Sequence, residues 1–152
     1  MMAREIAESM GCFDQIDFLD DNSSLAIGPC KACADYVDRY RYAIVAIGNA
    51  ELRLAQIEML EAAGYEIATL IAPTAYVSPS AKLGKGTVIE PNACVQTGAS
   101  LGIGCIISSG AVVRHNACLE SVCQVDCNAV VLSGGTVPIG TGIPPVSVYP
   151  KN

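Results

Sequence analysis

The sequence has no tryptophan, two phenylalanines and a single histidine, and aromatic residues make up 5% of its 152 positions. A chain so poor in large rings fills its interior with aliphatic and small side chains. Positive charge is also scarce. Nine Lys and Arg stand against fifteen Asp and Glu, for a net charge of −6, which argues against nucleic acid as a partner. No apolar run is long enough to span a bilayer, and no basic stretch followed by an apolar one opens the chain. The expected protein is therefore soluble and cytoplasmic, without a membrane partner. Disorder is excluded too, because 51% of the residues are hydrophobic and only 16% charged. The length suits one ordinary domain, or a small domain followed by a repeat segment.

The eight cysteines are not expected to build a metal centre. Cys30 and Cys33 form a lone Cys-x-x-Cys, the spacing of a redox pair or of half a zinc site, but no second such pair and no histidine lies nearby, so no metal ligand set is assigned. Cys94, Cys105, Cys118 and Cys123 fall at small-residue or strand positions of a repeat, where a reduced thiol acts as a compact hydrophobe. Cys12 and Cys127 have no obvious partner. Reduced thiols are expected in a cytosolic chain.

That repeat dominates the chain. From Val77, every sixth residue through Leu83, Ile89, Val95, Leu101, Ile107, Val113, Leu119, Val125, Val131, Val137 and Ile143 is a branched aliphatic. The residue four after each is small: Ala81, Thr87, Ala93, Ala99, Cys105, Ala111, Ala117, Cys123, Ala129, Gly135 and Thr141. The residue three after each is mostly Gly or Asn, the types that accept positive φ at least cost. A period of six fits neither an amphipathic helix nor a sandwich strand, whose side chains alternate with a period of two. It fits short strands joined by tight turns, three hexads closing one triangular coil. The expected architecture is a parallel β-helix of the hexapeptide type. After Gly135 the spacing of Ile139, Gly140 and Ile143 predicts a slip out of the six-residue phase.

Before the repeat, the pattern predicts a helix over 2–10 ending at Gly11, a strand over 15–19, a polar turn at 20–22 and a helix over about 30–39. A strand over 42–47, a helix over about 50–63 ended by Gly64, and a strand over 66–71 follow. Such alternation predicts a small parallel α/β layer. The division expected is an α/β domain over 1–72 and a β-helix over 73–152.

Three stretches make a resemblance specific: Leu19-Asp20-Asp21, the run 46–53 (Ala-Ile-Gly-Asn-Ala-Glu-Leu-Arg), and the run 73–81 (Pro-Thr-Ala-Tyr-Val-Ser-Pro-Ser-Ala). In content and order they resemble landmarks of the bacterial sugar acetyltransferases of the NeuD/PglD type, within the hexapeptide-repeat acyltransferase superfamily. The resemblance covers nearly the whole chain and implies a left-handed β-helix preceded by an incomplete, Rossmann-like α/β domain that binds a nucleotide sugar. It also implies a homotrimer and acetyl-CoA as acetyl donor. The match begins inside the family's first helix, so that a first strand and a Gly-rich loop carrying a His have no counterpart. The α/β domain is thus expected in N-terminally truncated form.

Functional residues follow from the resemblance, position by position. His115, at a coil corner, corresponds to the general base, and an imidazole titrating near neutral pH suits that task. Asn116 stands where the family has an acidic residue. Gln124 stands where a second His contacts the acetyl group, and its amide can donate to a thioester carbonyl. Ser133 and Gly134 carry no bulky side chain where the pantetheine arm would pass. For the acceptor, Asp20 and Asp21 end the expected strand, Gly48 and Asn49 open a helix whose N-terminus suits phosphate, and Arg53 follows one turn later. The function these imply is acetyl-CoA-dependent transfer to an amino or hydroxyl group of a nucleotide-linked sugar, in cell-surface glycan biosynthesis. Two other readings use the same residues: a non-catalytic trimeric β-helix scaffold, and a hexapeptide transferase for a non-sugar acceptor such as an amino acid.

Overall fold

In the computed structural model, residues 2–150 are described. From Leu70 onward the chain winds as a parallel β-solenoid of two-residue strands. Every third strand stacks in parallel on the one before. Val112 and Val113 pair with Cys94 and Val95 on one side and with Val130 and Val131 on the other. Three sheets result, of five, five and four strands. The first begins at Leu70–Ile71, the second at Tyr76–Val77 and the third at Lys82–Leu83.

The three columns of the repeat explain this winding. The aliphatic column points inward, and from Ile89 to Ile143 every member is buried. The small column stacks beside it, with Ala93, Ala99, Cys105, Ala111, Ala117, Cys123 and Ala129 sealed from solvent. A larger side chain there would overpack the coil. The Gly/Asn column turns the corners at positive φ: Asn92, Asn116 and Asn128 lie between 56° and 60°. Val122 (φ 53°) and Val146 (φ 54°) hold the same conformation despite their branched side chains. The six-residue phase continues past Gly135 without a slip. Val137, Ile143 and Tyr149 occupy successive strands, while Ile139 lies outside the ladder and is exposed.

The preceding segment is less regular than the sequence predicts. Helix α1, Met2–Met10, ends at Gly11 (φ 63°) as expected. It covers the first sheet, so that the outward-facing Leu70 and Val88 are buried with Ile6 and Ala7. Helix α2, Ala50–Ala62, opens at Asn49, whose side chain accepts the Leu52 N–H at 2.9 Å. Between them, residues 15–19 form no strand. Phe18 and Asp20 instead bond to the nearby loop at Ile27 and Gly28, and no strand lies alongside to build a ladder. The helix expected at 30–39 is a 3-10 helix, Cys30–Tyr36.

The strand expected at 42–47 shrinks to Tyr42–Ala43, paired in parallel with Glu66–Ile67. The strand expected at 66–71 divides, because Leu70–Ile71 pairs with Val88–Ile89 and already belongs to the solenoid. One two-stranded sheet flanked by helices is therefore what precedes the coils, less than a Rossmann-like layer. No helix among the described residues is long and apolar enough to cross a membrane.

Candidate active site

The corner that follows the second sheet carries His115. Strand Val112–Val113 aims Val113 inward, the chain turns at Asn116 (φ 57°), and Ala117 re-enters the core. His115 is thus held at the apex, exposed. Its backbone is fixed on both sides by adjacent coils. The His115 N–H donates to Gln96 Oε1 at 3.2 Å, and its carbonyl accepts the Gly134 N–H at 3.0 Å. The ring is fixed as well: Nδ1 lies 3.2 Å from the hydroxyl of Ser133, one coil later at the same corner. Towards the earlier coils the ring borders a hollow lined by Tyr76, Gln96, Thr97, His115 and Asn116.

The expected neighbour of His115 is different in kind. Asn116 turns its carboxamide over the preceding coil, where a Cβ on Gly98 would meet Asn116 Oδ1 at 2.3 Å. Asn116 makes the left-handed turn, and the hydrogen-bond partner of the His115 ring is Ser133. That contact was within reach of the sequence, since 115 and 133 differ by one coil. Gly134 takes the corner conformation at φ 68°, and an added Cβ there would touch nothing within 4 Å, which leaves the backbone open to approach. Gln124 lies on the outer face of the first sheet, so within one protomer a whole face separates it from the corner of His115.

The acceptor residues lie elsewhere. Asp20 Oδ1 accepts the Asn22 N–H and Asp21 Oδ1 accepts the Cys30 N–H, so Asp21 caps the 3-10 helix. Both remain exposed. Gly48 and Asn49 open α2 beside the corner after the third sheet, where Gly140 approaches Ala50.

Arg53 is not a surface residue able to meet a phosphate. It is fully buried, and its guanidinium donates to four carbonyls: Gly104 (2.7 Å), Ile47 (2.6 Å), Gly48 (2.9 Å) and Val122 (2.8 Å). Burial pushes its pKa down. It stitches the start of α2 to two successive coils. Gly104 permits this closeness, since a Cβ there would lie 2.8 Å from Ile57 Cδ1.

Two thiols, those of Cys30 and Cys105, are poorly disposed to react. Burial, then the charges of Asp21 and Asp20, push the Cys30 thiol up, and Cys33 is buried. Cys105, hydrogen-bonded to Cys123 and buried in the coil, is also pushed up. A raised pKa keeps a thiol protonated and unreactive.

No protein-family model matches the sequence, and no curated protein matches it. Solved structures do. The acetyltransferase domain of PglB from Neisseria gonorrhoeae, in complex with acetyl coenzyme A, is 27% identical, with a TM-score of 0.67 over 93% of this chain and 88% of that one. The structural neighbours are bacterial sugar acetyltransferases of the hexapeptide-repeat family. PerB from Caulobacter crescentus, in complex with CoA and GDP-perosamine, matches at 17% identity and a TM-score of 0.61, covering 94% of this chain and 86% of PerB. WeeI from Acinetobacter baumannii matches at 13% and 0.55, covering 91% and 85%. At their low identity these last two bear on the fold alone.

Proposed function

We propose that this chain is an acetyl-CoA-dependent acetyltransferase acting on an amino or hydroxyl group of a nucleotide-linked sugar, with His115 as general base. The observation that carries the reading is the corner itself: one exposed imidazole, its Nδ1 tied to Ser133 and a hollow beside it. With the Nδ1 proton donated to Ser133 Oγ, Nε2 keeps the lone pair that a general base needs. An acceptor amine seated in the hollow attacks the thioester carbonyl as Nε2 removes its proton. The C–N bond forms, the C–S bond breaks, and CoA leaves as the thiol after taking a proton. No covalent enzyme intermediate is required. Ser133 and the unobstructed backbone at Gly134 lie on the donor side. In this reading Gln124 serves as a donor to the acetyl carbonyl, and Asp20, Asp21, Gly48 and Asn49 stay the acceptor-side candidates.

A trimer completes the site. On the second sheet every outward residue is apolar or a thiol: Tyr76, Cys94, Val112, Val130 and Val148, with Tyr76 and Val148 exposed. That stripe ends at the corner of His115, and packing it against a neighbouring copy would hide apolar surface and enclose the imidazole. A neighbour also offers the one route by which a Gln124 meets a His115, since one protomer keeps them apart. The left hand of the coil, the α/β assignment of 1–72 and the cytoplasmic location belong to this same proposal.

Isothermal titration with acetyl-CoA tests it. Saturable heat is expected. No heat would favour the scaffold reading, for which the scarcity of cations along the solenoid is the supporting observation.

A further inference from the structure

We infer that Arg114 binds the phosphate attached to the acceptor sugar, so that a phosphorylated, nucleotide-linked form of the sugar is selected over the free sugar. The inference rests on the transferase reading of the same corner. Positive charge is rare along the solenoid. Among the described residues from Val77 onward the cations are Lys82, Lys85 and Arg114. Lys85 is paired with Glu61, and Lys82 points outward from the third sheet, in an early coil. Arg114 is exposed and forms no ion pair among the described residues. It directly precedes His115, and its column in the coil is that of Gln96, one of the residues lining the hollow. A planar guanidinium without a carboxylate partner, one residue from His115 in the chain, is suited to hold phosphate oxygens through two parallel donors.

Chain lengths decide which phosphate it is. The phosphate of a glycosyl donor is attached to the ring itself, so it lies a single pyranose away from the reacting amine at His115. The pyrophosphate of CoA lies beyond the whole pantetheine arm. Arg114 is adjacent to His115 in the chain, so the phosphate one ring away is the one it is assigned to. The hollow supplies what the ring needs. Tyr76, 57% exposed, offers an aromatic face, and Gln96, Thr97 and Asn116 offer amide and hydroxyl groups.

The test compares the wild-type protein with Arg114→Gln and Arg114→Lys, using GDP-perosamine, a UDP-linked amino sugar, the free amino sugar and acetyl-CoA. Loss of one charge-assisted bidentate contact is expected to weaken nucleotide-sugar binding by about tenfold or more in Arg114→Gln. Calorimetry should show this as a raised Kd and acetyl-transfer kinetics as a raised KM, with kcat and the KM for acetyl-CoA unchanged. Arg114→Lys should recover part of the loss, and the free sugar should be indifferent to either change. Equal Kd values for wild type and Arg114→Gln would overturn the inference, as would a rise in the KM for acetyl-CoA with the acceptor untouched. A wild type that bound neither nucleotide sugar would overturn it as well. Absence of acetyl transfer in the wild type would count against the transferase reading alone, since calorimetry still reports on Arg114.

Discussion

The Nδ1 of His115 and the hydroxyl of Ser133 face each other at 3.2 Å across one turn of the solenoid. The spacing is imposed by the stacking of Val113 on Val131, inside the same corner. A coil that repeats every eighteen residues thus places a polar partner beside the one histidine without help from a loop. The ring of an exposed histidine would otherwise sample several rotamers, and the contact selects one of them.

Removing that contact should affect turnover and leave the fold alone. Ser133→Ala is expected to lower kcat for acetyl transfer about fivefold, the worth of one neutral hydrogen bond. The melting temperature should move little, because His115 is exposed and Ser133 only half-buried. A kcat equal to wild type would mean that something other than Ser133 orients the ring.

Arg53 is expected to matter for stability. Arg53→Met would leave the carbonyls of Ile47, Gly48, Gly104 and Val122 without their donor. Stranding the two buried acceptors, at Gly104 and Val122, should cost about 3 kcal/mol, read as a lower urea midpoint. Arg53→Lys should restore only part, since one ammonium group cannot reproduce the guanidinium fork. A methionine variant as stable as wild type would show that the four bonds carry little net weight.

Val146 sits at φ 54° and is 81% exposed, so it bears the cost of a left-handed branched residue without burying its side chain. Asn92, Asn116 and Asn128 fill the same type of corner. Val146→Asn should therefore stabilise the protein by about 1 kcal/mol, a rise of a few degrees in Tm. A lower Tm would indicate that the valine makes contacts worth more than the strain.

The hydrogen bond from the Tyr40 hydroxyl, followed by that from Gln15, holds the Asp17 carboxyl below the usual carboxylate range. The same bond raises the Tyr40 phenol. The stabilising effect of a depressed carboxyl is present above its unfolded pKa and is lost as pH falls through the lower folded value. NMR titration should find Asp17 among the last carboxyls to protonate, and Tyr40→Phe should bring its midpoint back up. An unchanged midpoint in that variant would remove Tyr40 as the cause.

How much of this was legible in the sequence depends on the distance over which the cause acts. The coils were legible because each residue type answers a local demand, aliphatic inward, small beside it, Gly or Asn at the turn. The opening of α2 at Asn49 and the end of α1 at Gly11 were legible for the same reason. Ile139 misled, because an aliphatic next to the column looks like a change of phase until its neighbours Val137 and Ile143 are seen to fill the core. Residues 15–19 have strand composition, yet composition cannot supply the neighbouring strand that a ladder needs. Arg53 was illegible for a related reason. Its partners are backbone carbonyls at Gly104 and Val122, far along the chain, and a carbonyl leaves no mark in the sequence.

The most direct test of the account is acetyl transfer by His115→Ala, followed as CoA thiol release with GDP-perosamine and UDP-linked amino sugars as acceptors. The account predicts transfer by the wild type and its loss in the variant by at least about a hundredfold, with an unchanged circular dichroism spectrum and an unchanged sedimentation profile. Transfer by His115→Ala at the wild-type rate would contradict it.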